Sequence, residues 1–250
     1  MERIFIQRLM ELRRFFVKNS DFDENIVTVS GEEFVHAVKV LRYKVGYKII
    51  LSTGDGWDYM AEIADVGKDY FKAKITSKTP NKGMPTHRVT LCQASLKGGK
   101  NDFVAQKAVE LGASEIVFFD SENVTEKRVQ KDRLDKIALE AAKQCHRAAK
   151  PEIKVSDFSK ILELSKTAPT VAAYEDEEEV SLSVALEKLR DQKEIILVVG
   201  SEGGFTKKEA EALKSAGAVL VSLGKRILRA ETAAVSLLAI TMYELGEMNA

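Results

Sequence analysis

Two glycine-bearing loops hold the residues best suited to chemistry. Gly200-Ser201-Glu202-Gly203-Gly204-Phe205 sets a carboxylate in a backbone that glycine frees from side-chain sterics. Leu223-Gly224-Lys225-Arg226-Ile227-Leu228-Arg229-Ala230 sets an apolar pair between two guanidinium groups, and Glu231 follows. A glycine after a strand is, taken singly, as readily a plain turn. Together the loops describe a pocket for a ligand with a flat face and a charged part. Neither GxxxxGK[ST] nor GxGxxG occurs, which disfavours the familiar nucleoside triphosphate and dinucleotide sites.

The elements around the loops must position them. Ile195 to Val199 is an uninterrupted aliphatic run, the pattern of a strand buried on both faces of a parallel sheet. Thr206 and Glu209 have capping-box spacing, so a helix begins there and stops at Gly217. A second buried strand, Ala218 to Leu223, leads into the second loop, and a helix follows from Glu231 to Leu245. Both loops then lie at the carboxyl edge of one sheet, where open α/β sheets bind ligands. Upstream, strands at Arg88–Ala94, Glu115–Phe119, Glu152–Val155 and Thr170–Tyr174 alternate with helices. Those helices are placed at Asp102–Leu111 (capped by Asn101), Asp132–Arg147, near Ser156, and Ser181–Arg190. The acidic run Glu175 to Glu179 reads as a solvated loop, since like charges repel.

The N-terminal third has another rhythm. Strands at Arg3–Ile6, Asn25–Ser30, Tyr47–Ser52, Asp58–Val66 and Tyr70–Thr76 surround a helix from Gly31 to Leu41, with Thr53-Gly54-Asp55-Gly56 as a hairpin turn. Short strands at close spacing with one helix suggest a small β-barrel. Residues 77–87 hold two of the four prolines and no periodic pattern, the mark of a linker. The expected organisation is a barrel over 1–76, a linker over 77–87 and an α/β domain over 88–250. The 250 residues carry 38 Lys+Arg against 38 Asp+Glu, so no whole-molecule field draws the chain to nucleic acid. Two cysteines, Cys92 and Cys145, provide no zinc ligand set and fit a reduced, intracellular protein. Charged residues at Glu2, Arg3 and Arg8 interrupt the first ten positions, so no signal peptide is expected, and no apolar run approaches a membrane span.

Gly200-Ser201-Glu202-Gly203-Gly204-Phe205 and the stretch Leu223 to Ala234 resemble the two signature motifs of the bacterial family that methylates N3 of a uridine in 16S ribosomal RNA. The resemblance extends over essentially the whole chain, including Val40-Leu41-Arg42 and Lys44-Val45-Gly46 in the barrel. Two departures stand out. The family usually has proline where Ser201 stands and threonine where Ala230 stands; both bear on loop rigidity more than on charge. The fold implied is of the SPOUT class: a parallel sheet with helices on both faces and a trefoil-knotted C-terminal segment, preceded by a PUA-like barrel. The activity implied is S-adenosylmethionine-dependent methylation of small-subunit rRNA during ribosome assembly, in the cytoplasm, by a homodimer without a metal. A non-catalytic assembly factor on the same scaffold, or a knotted methyltransferase with another RNA acceptor, is the alternative.

On that resemblance, Gly200, Glu202, Gly203, Leu223, Gly224, Ile227, Leu228, Thr232 and Ala233 are candidates for holding the cofactor. The acceptor N3 is protonated near neutral pH, so its proton must be removed or its loss stabilised as the methyl arrives. Arg229 is a poor base but a good stabiliser of a uracil anion, and either Glu202 or Glu231 can serve as the base. N3 lies on the pairing edge, so the target must leave its stack. Candidate RNA contacts are Arg8, Arg13, Arg14, His36 and Arg42 in the barrel, Lys97 and Lys100 in a glycine-rich loop, and Gln144 and Arg147. Glu140, Gln144 and Arg147 share one helix face, which is also what the wet side of any helix looks like. Finally, the helix from Glu231 is apolar all round, so a second copy of the chain is expected to cover the side its own sheet does not.

Overall fold

The computed structural model describes residues 12–124 and 129–249, which fall into two compact units. One comprises the chain up to Met84 together with residues 142–150, the other Pro85–Ala141 and Pro151 onward. Strand Arg3–Ile6 and the side chain of Arg8 lie outside the described residues.

In the first unit, strands β1 (Arg14–Phe16), β2 (Phe22–Asp23), β3 (Ile26–Ser30), β4 (Lys48–Ser52), β5 (Trp57–Val66) and β6 (Tyr70–Pro80) form one sheet in the order β1-β4-β5-β6-β3-β2. All neighbours are antiparallel except β1 and β4. β1 and β6 are three strand spacings apart, roughly 14 Å if the sheet were flat. Yet the ring centroids of Phe15 and Phe71 are 6.3 Å apart, so the sheet is rolled. Alternate residues of five strands point into one core: Phe15, Val27, Val29, Ile49, Leu51, Ala61, Ile63, Phe71 and Ala73. Phe34 and Ala37, from the helical segment Gly31–Phe34 and its π-helical continuation Val35–Val40, join that core. One boundary differs from the sequence pattern: β6 continues to Pro80, with Lys78 paired to Tyr59, so the first residues of the expected linker are strand.

In the second unit, β7 (Arg88–Ala94), β8 (Glu115–Asp120), β9 (Glu152–Asp157), β10 (Thr170–Ala173), β11 (Glu194–Val199) and β12 (Val219–Val221) make a wholly parallel sheet ordered β12-β10-β11-β7-β8-β9. Helices Phe158–Ser165 and Lys207–Ser215 cover one face, over a core that includes Cys92, Phe119, Ile161, Val198, Phe205 and Leu213. Helices Lys100–Glu110 and Ala230–Glu244 pack on each other, and the latter also packs on β7 and β11. β11 is central, and Ile195 to Val199 are all buried, as an aliphatic run between two neighbours requires. β12 departs from expectation. It is a three-residue edge strand that goes from exposed Val219 through half-buried Leu220 to buried Val221, so burial is reached only at its carboxyl end and not along both faces.

Helix starts divide similarly. Thr206 Oγ1 accepts from the Glu209 amide at 3.2 Å and Glu209 Oε2 accepts from the Thr206 amide at 2.9 Å, the reciprocal capping box that the spacing implies. Gly217 has φ +98, a conformation costly for any side chain. Asn101, by contrast, does not cap its helix. Gly99 occupies the cap position, while the Asn101 amide accepts from the Leu96 amide and donates to the Leu96 carbonyl, at 3.0 and 3.1 Å. Its role is to fix the loop after β7.

Candidate active site

Because all six strands of the second unit are parallel, the loops after β7, β10, β11 and β12 share one edge of the sheet. There the loops after β10, β11 and β12 enclose a cleft of about 780 Å³. The loop after β11 is anchored from two sides. Gln93, fully buried on β7, donates to the Gly200 carbonyl at 2.9 Å, and Phe205 stacks on Phe119 with centroids 6.5 Å apart. Between these anchors the chain turns back on itself, with the Gly204 amide donating to the Ser201 carbonyl at 3.0 Å. A Cβ on Gly200 would stand 3.2 Å from the Gly204 carbonyl carbon, so close backbone approach accounts for that glycine. Gly204 has φ +66, and a Cβ there would meet the Glu175 carboxylate at 2.7 Å.

Of the residues expected to hold a ligand, Gly200, Glu202, Leu223, Gly224, Ile227, Leu228 and Ala233 line this cleft, as does Arg229. Two do not. Gly203 faces away: its carbonyl accepts from Asn123 Nδ2 at 2.9 Å, and a Cβ would meet Asn123 Cβ, also at 2.9 Å. Thr232 is exposed in the first turn of helix Ala230–Glu244 and is not on the cleft wall. Ile227 and Leu228 are unequal partners: Leu228 is half-buried, whereas Ile227 is 87% exposed at the rim.

Glu202 and Glu231 both approach Lys100, which itself lines the cleft. Lys100 Nζ donates to Glu202 Oε1 at 3.0 Å and stands 3.5 Å from Glu231 Oε2. Glu202 Oε1 also accepts from the Lys97 amide at 3.1 Å. Burial pushes the Glu202 carboxyl up, but the bonds from Lys100 and Lys97 outweigh it, leaving the group below its ordinary value. Glu202, first, and Glu231 raise the Lys100 ammonium in turn. The three charges therefore tie the loop after β7, the loop after β11 and the start of helix Ala230–Glu244 together. Lys100 is consumed in this contact, and Lys97 has an exposed side chain.

Sequence reasoning misses the third wall. Tyr174, Glu175, Glu177, Glu178 and Glu179, after β10, line the same cleft as Lys225, Arg226 and Arg229. The run is the solvated loop that its charge implies, with Glu175, Asp176, Glu178 and Glu179 exposed, and it is also an acidic wall of the cleft. Gly204, Ser201 and Ser222 also line the cleft; the glycine motif is the signal for the first two, and nothing local marks Ser222. The cleft fits S-adenosylmethionine on its own terms. Its volume is within the range typical of small-ligand pockets. It offers backbone from three loops, an apolar side chain in Leu228, carboxylates for a cationic ligand, and cations for a carboxylate.

The proposed RNA contacts scatter. Arg14 is buried: its guanidinium pairs with Asp58 at 2.6 and 3.2 Å and also bonds Ser52, so it holds β1 to β4 and β5 and is not free for phosphate. Arg147 is also buried, at 3% exposure, and desolvation lowers its pKa. His36 is half-buried and packs edge-to-face on Phe15, at 6.0 Å. Arg13, Arg42 and Gln144 are exposed.

Residues 83–242 match the family model of an RNA methyltransferase domain, and residues 29–76 match that of an RNA methyltransferase PUA domain. A ribosomal RNA small subunit methyltransferase E of Bacillus subtilis is 31% identical, over 93% of this chain and 97% of that protein. The chain belongs to the ribosomal RNA small subunit methyltransferase E family. The Rickettsia conorii member is 29% identical over 92% of this chain and 95% of its own. Among solved structures, a Neisseria gonorrhoeae methyltransferase E bound to S-adenosyl methionine superposes with a TM-score of 0.81. It is 26% identical, over 93% of this chain and 98% of that one. As a member of this family the chain is a methyltransferase with a PUA-type first unit and an α/β second unit. No helix among its described residues is long and apolar enough to cross a membrane.

Proposed function

We propose that this protein transfers the methyl group of S-adenosylmethionine to N3 of a uridine in 16S rRNA, on the assembling small subunit, as a cytoplasmic homodimer. The observation that carries the reading is the cleft at the carboxyl edge, with an acidic wall after β10 and a basic wall after β12. The relatives' substrate, small-subunit ribosomal RNA, is what their names state.

When bound, the cofactor supplies an activated methyl on a sulfonium. The backbone of Gly200, Leu223 and Gly224 and the side chain of Leu228 would hold it, with Glu175 and its acidic neighbours favouring the positive charge. Arg229 lines the cleft and holds the backbone position just before helix Ala230–Glu244, so a guanidinium and the positive end of a 15-residue helix both border the site. Both stabilise a uracil anion over the neutral base, which lowers the cost of losing the N3 proton. Glu202 is held ionised by Lys100 and positions the loop, and Glu231 stands against the same ammonium. Catalysis therefore rests on Arg229 more than on a strong carboxylate base. The trefoil knot belongs to this reading as what the SPOUT resemblance implies; the segment after edge strand β12, whose helix packs on β11 and β7, is the one it would thread.

The dimer reading rests on that same helix. Ala233, Ala234, Leu237, Leu238, Thr241 and Met242 are buried, while Ile240 and Tyr243 are 43% and 62% exposed beside Ser236 and Ala239. This outward stripe of small and apolar residues suits a second copy. Nucleoside analysis tests the function directly. Small subunits from a strain lacking the gene, incubated with the protein and S-adenosylmethionine, should gain one N3-methyluridine. Methyl transfer to another nucleoside or to transfer RNA, or donor binding without transfer, refutes the assignment.

A further inference from the structure

The first unit, whose residues 29–76 match an RNA methyltransferase PUA domain, carries a basic and aromatic surface outside the cleft. Residues 39–48 contain Lys39, Arg42, Lys44 and Lys48 and no carboxylate. Arg42, Lys44 and the nearby Arg13 are exposed, and no ion pair engages them among the described residues, in contrast to the buried Arg14. Arg42 also has φ +58, at the end of the segment Val35–Val40, where glycine would be the inexpensive choice.

Between these cations runs a ladder of rings. Phe71 and Phe15, both fully buried, meet edge-to-face; Phe15 meets Tyr43 at 6.3 Å and 74°. Tyr43 in turn lies 4.9 Å from Tyr47 with the planes 32° apart, and Tyr47 is 46% exposed. The ladder is thus rooted in the core and ends on a ring open to solvent. Val45, 60% exposed, flanks it. An aromatic ring fixed from behind gives a base a stacking partner that loses little conformational freedom, and unpaired bases are what such rings recognise in RNA.

We propose that Tyr47 is the stacking platform for an unpaired base of a single-stranded RNA segment, with Arg13, Arg42 and Lys44 holding the adjoining phosphates. This rests on the RNA-modifying function proposed above and adds the form of RNA the first unit grips. A duplex would offer phosphates but no free base face, so it would leave the ladder unused.

The test uses the full-length protein, a fluorescein-labelled single-stranded 12-nucleotide oligouridylate and a blunt duplex of equal length, with binding read by anisotropy. The wild type should prefer the single strand. Tyr47→Ala should weaken that binding by roughly tenfold, the scale of losing one stacked base, whereas Tyr47→Phe keeps the ring and should stay within about twofold. Arg42→Gln with Lys44→Gln should reduce the slope of log K against log salt by about 1.4, two contacts at roughly 0.7 each for single strands. Tyr47→Ala binding as well as wild type, preference for the duplex, or capture by anionic lipid vesicles in place of RNA would each overturn the proposal. Calorimetry with S-adenosylmethionine on the same variants separates the two readings. Intact donor binding with no Tyr47 effect rejects the platform alone; RNA binding through Tyr47 without donor binding rejects the methyltransferase reading alone.

Discussion

Gly203 and Gly204 are adjacent and equally small, yet the fold gives them opposite surroundings, and substituting each by alanine separates the cleft from its support. At Gly204 the methyl enters a backbone with φ +66, a strain of about 1–2 kcal/mol for a residue with a Cβ. It also meets Glu175 Oε1 at 2.7 Å, but that atom ends a flexible, exposed side chain and can swing aside at small cost. Gly204→Ala should therefore lose about 1–2 kcal/mol, roughly 2–8 °C in Tm for a unit of this size. Because both Gly204 and the displaced Glu175 line the cleft, affinity for S-adenosylmethionine should fall about tenfold. At Gly203 the methyl meets Asn123 Cβ, which is fixed to its own backbone, and the contact threatens the 2.9 Å bond from Asn123 Nδ2 to the Gly203 carbonyl. The expected loss is about 1–3 kcal/mol from overpacking and a weakened hydrogen bond, with donor affinity within about threefold of wild type. Urea denaturation gives the stabilities and titration calorimetry the affinities. If Gly203→Ala abolished donor binding while Gly204→Ala bound normally, the assignment of the two faces of this loop would be wrong.

Arg229→Ala should keep donor affinity within a small factor and slow methyl transfer by about two orders of magnitude, the scale of losing one electrostatic stabiliser; near-normal single-turnover rates with weakened RNA binding would make it a positioning residue instead. Glu247 Oε1 accepts from the Thr86 and His87 amides at 2.9 and 2.8 Å, and although burial pushes the carboxyl up, these partners and the side chains of Thr86 and His87 hold it below its ordinary value. A folded pKa below the unfolded one adds stability above the unfolded value and loses it as pH falls through the folded value. Glu247→Gln should accordingly cost about 1–2 kcal/mol at neutral pH and progressively less in acid, and an unchanged pH profile would count against this. Ile240→Glu should shift a dimer toward monomer in sedimentation at micromolar concentration without unfolding it; a wild-type monomer that binds donor normally removes the dimer altogether. Cys92 is fully buried and burial drives its thiol pKa up, so native protein should react with one equivalent of a thiol reagent through Cys145, and with two after unfolding.

Much of the second unit is legible because its signals are local. The Thr206–Glu209 capping box, the stop at Gly217 and the aliphatic run of β11 each follow from residues within a turn or strand of one another. Arg13 and Arg14 show where local reading fails. Both look like surface cations in a basic stretch, but β1 begins at Arg14, whose guanidinium is buried against Asp58 and Ser52 from neighbouring strands, while Arg13, just before the strand, stays in solvent. Asn101 fails for a related reason. Its type suits a cap, but the loop before it offers both an amide and a carbonyl at Leu96, and a two-bond clamp excludes the cap. The share of residues 142–150 in the first unit is likewise invisible locally, since helix Lys131–Gln144 runs through the division with no break in its pattern.

The acidic wall shows how much of the site depends on strand order. Glu175 to Glu179 carry no motif, and by charge alone they belong in solvent. Their position is decided by β10 lying between β11 and β12 in a parallel sheet. Given that order, the loop after β10 must emerge between the two glycine loops, and its carboxylates must face whatever those loops bind. A sequence shows that three strands end in loops; only their lateral order shows that the middle loop is acidic and its neighbours carry the glycines and arginines. The order also brings Glu175 against Gly204: the glycine is required by its φ of +66, and a Cβ there would in addition push back the carboxylate that touches the loop. The charge of the cleft is therefore a property of topology: the glycine motif is legible in the sequence, but the carboxylate it touches is known only once the strand order is.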